Sequence, residues 1–126
     1  MNHTPIIGIG DVLMRPKFFG LVQHCGVFVG GNAVLTNTPS KGEHLATLNE
    51  FSAGERITLR HSRADPWTVI ARSQKILANP KRYDPICRNC EHTANEAIHG
   101  TPKSPIVFCL GLLALAGVIY AVTRRS

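Results

Sequence analysis

At 126 residues the chain has room for one domain of ordinary size. Its formal net charge is +6 and its sequence pI about 9.6, yet only 6% of its residues are aromatic. Between residues 56 and 88 the basic side chains are scattered rather than interleaved with rings, which argues against a nucleic-acid reader.

The first element expected is a short strand in "GDVLMRP", stopped by Pro16. No charged region leading into an apolar run precedes it, so no secretory signal is expected. The four cysteines are then expected to stay thiols in a cytoplasmic domain. "LVQHCGVFVGGNAVLTN" reads as a hairpin, two apolar strands joined by a turn at Gly30-Gly31-Asn32. "TLNEFSAG" carries Thr47 and Glu50 at capping-box spacing and ends at Gly54, which predicts one or two helical turns. "ERITLRHS" alternates as a half-buried strand does.

Asp65-Pro66 is a good N-cap and first helical position. The helix that follows is expected to bury Trp67, Ile70, Ala71, Leu77 and Ala78, and to stop at Pro80. A second helix is expected from Cys90, capped by Asn89 and ended by Gly100 and Pro102, with Cys90, Ala94, Ala97 and Ile98 on its buried side.

From Ile106 to Val122 runs a stretch of uncharged residues, bounded by Arg124 and Arg125. As a helix it would span about 25 Å, the short limit for crossing a bilayer. A domain over residues 1–102 followed by a hydrophobic tail over 103–126 is therefore expected, the tail serving as a single-pass anchor. The scattered basic face would then meet anionic lipids on the cytoplasmic side.

Cys90 would occupy the first turn of its helix, where the dipole and the free amides favour a thiolate. It also stands in a CxxC with Cys87, a redox or zinc signal to which His92 and His99 could contribute as further ligands. One CxxC alone falls short of a closed zinc site, and no strand of a βαβ unit precedes it, so neither metal nor cofactor is expected. A nucleophilic thiol needs a base, and the strand "LVQHCGVFVG" offers His24.

With those residues in hand, "HCGVFVGGNAVL" resembles the H-box of the lecithin:retinol acyltransferase-like branch of the NlpC/P60 papain-like superfamily. "NCEHTANEAIHG" resembles that branch's NC motif. The likeness covers roughly residues 9 to 122. It implies an α+β, circularly permuted papain-like fold: a small antiparallel sheet on helices, followed by a C-terminal hydrophobic helix. By the same likeness Cys90 is the acyl-accepting nucleophile and His24 the general base. Known relatives include tail-anchored phospholipid acyltransferases and phospholipases A1/A2, and viral 2A-type proteins that serve in replication. The expected partners are thus membrane lipids as acyl donors, with peptide amides or a purely interacting, inactive role as alternatives.

The family usually places a second histidine twelve residues after the first; here that position is Thr36, and Asn37 follows. An amide can orient an imidazole, so Asn37 is the third member expected, with Thr36 or neither residue as the alternatives. Strict alternation turns it away from His24 unless the strand bulges.

Overall fold

The structure, a computed structural model, describes residues 6–17, 19–84 and 88–101. Five strands form one antiparallel sheet: β1 (Val12–Lys17), β2 (Val22–Gly30), β3 (Ala33–Thr38), β4 (Gly42–Thr47) and β5 (Thr58–Arg60). Their order is β4-β3-β2-β1-β5, a meander whose last strand returns to the far edge beside β1. Three helices, α1 (Leu48–Ser52), α2 (Pro66–Ala78) and α3 (Cys90–His99), complete an α+β fold.

Local sequence explains most of these elements. Gly31 and Asn32 both take positive φ, 59° and 64°, which suits the tight turn between right-twisted strands. The register slips between Phe28 and Gly30, so a bulge sits just before that turn. At α1 the expected capping box forms, Thr47 and Glu50 each accepting the other's backbone N–H. Asp65 caps α2 through the amide of Thr68, with Pro66 in its first turn.

The sheet has two packed faces. Val12, Val27 and Leu35 meet α2 and α3 through Val69, Ile76, Ala94, Ala97 and Ile98. On the other face Leu13, Val34 and Ala46 pack on Phe51 of α1. Burying a large apolar side chain is worth about 1.5–3 kcal/mol. These two clusters therefore fix which way each residue of β2 and β3 points.

Two local expectations need correction, and a third holds over a shorter span than the sequence suggested. Pro16 does not stop β1, which continues to Lys17 and pairs Pro16 with Gln23. The pairing with β5 ends at Met14, so at Pro16 one side of β1 is an open edge, where a missing N–H costs nothing. The buried face of α2 is Val69, Ser73 and Ile76, while Trp67 is 78% exposed and Ala71 and Ala78 are exposed too. Ser73 hid that face from a hydropathy reading; it is tolerated inside because its hydroxyl donates to the Val69 carbonyl at 2.7 Å. β5 is only three residues long, and of these only Leu59 turns inward.

The tail over 103–126, with its apolar run 106–122, lies outside the described residues, as does Cys87. Among the described residues no helix is long and apolar enough to cross a membrane.

Candidate active site

The site forms where β2 and β3 part. Their pairing reaches Val27↔Leu35 and stops, although β2 extends back to Val22 and β3 runs on to Thr38 beside β4. The N-terminus of α3 comes to this opening and presents Cys90, which is 7% exposed.

Asn89 caps α3 as its sequence predicts: the side-chain oxygen accepts from the amides of Glu91 and His92 at 3.0 and 3.1 Å. The ring of His92 closes the box on the Asn89 amide at 3.1 Å. His92 is thereby tied to its own helix end, and burial and Arg88 lower its pKa. Among the described residues no three His, Cys, Asp or Glu side chains converge on a metal position.

His24 sits in β2, 4% exposed, on the α1 side of the sheet. Its ring stacks on Phe51 with centroids 5.3 Å apart and planes at 26°. Phe51 is held in turn by Arg15, whose Nε donates to the Phe51 carbonyl at 2.6 Å. Gly26 makes room for this stack, since a Cβ there would lie 3.0 Å from the Phe51 ring and 2.5 Å from Val34.

Cys25 packs toward the other face, where its side chain is a hydrogen-bond partner of Cys90. The Cys90 thiol is lowered to about 4, first by a hydrogen bond from the Cys25 side chain, against the penalty of burial. The His24 imidazole, as hydrogen-bond partner and charge, and the Cys25 amide add to the effect. Cys25 moves the opposite way, well above the usual thiol value, through that hydrogen bond, its burial and repulsion from charge on Cys90 and Glu91. Of the two thiols, Cys90 therefore ionises first.

Asn37 is fully buried, and it does not reach His24. Its amide nitrogen donates to the Arg88 carbonyl at 3.0 Å and to the Thr93 hydroxyl at 3.2 Å, on the α3 side of the sheet. The side chain at the imidazole is Thr36, whose Oγ1 lies 3.1 Å from His24 Nε2 and 2.9 Å from the Cys25 carbonyl. The β2 bulge lies between the turn and the site and shifts the pairing from Gly30↔Ala33 to Phe28↔Val34 and Val27↔Leu35, which sets Asn37 on the Cys25 face and Thr36 on the His24 face.

A buried ion cluster fixes the segment entering α3. Arg88 donates to Glu43 Oε2 from Nε at 3.0 Å and from Nη2 at 2.5 Å, and its Nη2 also meets Glu96. Glu43 accepts from the Thr93 hydroxyl at 2.8 Å and from the Lys81 amide at 2.8 Å as well. Gly42, with φ of 68°, lets the backbone of Lys81 approach so closely that a Cβ would stand 2.7 Å from its carbonyl.

Two hollows flank the site. One of about 1090 Å³ has Cys25, Val12, Met14, Ala94 and Ile98 in its wall, with Arg60 and Arg63. The other, about 180 Å³, is lined by His24, Thr36 and Phe51 together with Arg15, Lys41 and His44.

Sequence reasoning named Cys90 and His24 and the structure brings them together. It put Asn37 ahead of Thr36, which follows directly on the quoted "HCGVFVGGNAVL", and it missed Cys25, which lies within that stretch. No protein-family model and no curated protein matches the chain.

Proposed function

We propose that the protein is a thiol acyl hydrolase or acyltransferase of the lecithin:retinol acyltransferase-like type, with Cys90 as nucleophile and His24 as base. The observation that carries this reading is the placement of Cys90 at a capped helix N-terminus beside the imidazole of His24, itself stacked on Phe51, a setting that lowers the pKa of the thiol. A buried cysteine serving only as packing would have its pKa raised by burial. The order along the chain, histidine strand before cysteine helix, suits a circularly permuted papain-like fold.

In this mechanism the Cys90 thiolate attacks the carbonyl carbon of an ester or amide. As the carbon–oxygen or carbon–nitrogen bond breaks, the His24 imidazolium gives its proton to the departing alcohol or amine. An acyl thioester remains on Cys90. Water or a second acceptor then attacks it, His24 removes the acceptor's proton, and the thiolate is released. The Asn89 cap engages the amides of Glu91 and His92, which makes the Cys90 amide the first-turn donor for the oxyanion.

Lipid esters are the proposed substrates. The larger hollow has apolar walls beside Cys25 with Arg60 and Arg63 among its lining residues, an arrangement that suits an acyl chain carrying an anionic headgroup. The apolar run 106–122 would hold the domain at the cytoplasmic face of a membrane. The test is release of fatty acid from phospholipid vesicles. Wild-type protein should release it, and Cys90→Ser and His24→Ala should not. Equal release by all three would remove the dyad from the reaction.

A further inference from the structure

We infer that Thr36 is the positioning residue of this site: it selects the His24 tautomer that leaves Nδ1 free to act as base. The inference rests on the thiol–imidazole reading above and adds the third group which that reading lacks.

The tautomer follows from a proton count. A threonine hydroxyl carries one hydrogen and two lone pairs. Thr36 Oγ1 is 2.9 Å from the Cys25 carbonyl, which can only accept, so the hydroxyl hydrogen is spent there. The carbonyl needs that donor. Cys25 lies beyond the last β2–β3 pair, and its amide turns to the Cys90 sulfur rather than to β3. An unmatched carbonyl at this depth would cost about as much as a lost hydrogen bond.

With its hydrogen committed, Thr36 meets His24 Nε2 at 3.1 Å as an acceptor. Nε2 must therefore carry the hydrogen, and Nδ1 carries the lone pair in the neutral ring. The Phe51 stack fixes the ring plane, so Thr36 has only to choose which nitrogen is protonated. Thr36 is 2% exposed, and its hydroxyl is held between the imidazole and the Cys25 carbonyl.

A neutral hydroxyl held by a carbonyl thus does what an amide or a second imidazole does elsewhere. Asn37, one residue on, is committed to α3 instead. The two adjacent residues divide the work: Thr36 orients the base, and Asn37 anchors the helix that carries the nucleophile.

The test reads the tautomer apart from turnover. In a Cys90→Ala background, the ring nitrogens of His24 are assigned by long-range proton–nitrogen NMR at about pH 9, above the ordinary imidazole range. The expected result is hydrogen on Nε2, and hydrogen on Nδ1 overturns the inference. In the otherwise wild-type chain, Thr36→Val keeps the side-chain shape and removes the acceptor. Its rate of Cys90 acylation should fall at least about tenfold at unchanged KM, since a misplaced base forfeits much of its effect. Thr36→Ser should stay within a few-fold of wild type, and matching losses in Val and Ser count against a hydroxyl role. If Nε2 carries the hydrogen but no ester is processed by any form, the enzymatic reading fails and the Thr36 assignment stands.

Discussion

Cys25 gives both its thiol and its backbone amide to the sulfur of Cys90, and the two thiols shift in opposite directions as a result. A negative charge on Cys90 is favoured by two donors, and the same charge makes ionisation of Cys25 harder.

This asymmetry predicts a pH profile. A thiol reacts with iodoacetamide as thiolate, present above its pKa. With Cys90 lowered to about 4, its alkylation should hold a plateau from roughly pH 6 to 8 and fall only as pH drops through the acid range. Cys25 should stay unmodified over the same range. Replacing Cys25 by Ala removes one donor, so the Cys90 profile should move toward higher pH. Peptide mapping of the alkylated protein measures both effects. A Cys90 profile at the usual thiol position would contradict the account.

Gly26 should be intolerant of a side chain. Its Cβ would overlap Val34 and press on the Phe51 ring behind His24. Gly26→Ala should cost about 1–3 kcal/mol by overpacking, read from denaturant unfolding. Because Phe51 carries the imidazole stack, the alkylation rate of Cys90 should fall with it.

The buried Glu43–Arg88 pair ties β4 to the start of α3. Glu43→Ala would leave Arg88 with Glu96 alone and strand the Thr93 hydroxyl and Lys81 amide. The expected loss is about 3 kcal/mol, the usual scale for removing one partner of a buried pair. Glu43→Gln keeps the shape and should lose less. A loss under about 0.5 kcal/mol, typical of a surface pair, would show that the cluster is solvated.

Much of this architecture is local and so was legible in the chain. The Gly31-Asn32 turn, the Thr47/Glu50 box, the Asp65-Pro66 start and the Asn89 cap each depend on residues within a few positions of one another. Cys90 and His24 were legible because helix position and strand alternation restrict where each can point. What could not be read depends on the third dimension. The face of α2 turns on a serine that satisfies itself, and Pro16 survives because β5 is too short to need its N–H. The choice between Thr36 and Asn37 follows from the bulge between Phe28 and Gly30, whose one-residue shift exchanges the faces of β3 relative to β2 and which no local signal marks.

The central claim is that Cys90 carries an acyl group during the reaction. Full-length protein incubated with a phospholipid or an activated ester, quenched in acid and digested, should give the peptide containing Cys90 with one acyl mass added. That mass should be absent from the peptides of Cys25 and Cys87, and absent altogether in Cys90→Ala. A folded protein that shows no adduct with any ester, or carries the acyl group on another residue, would contradict it.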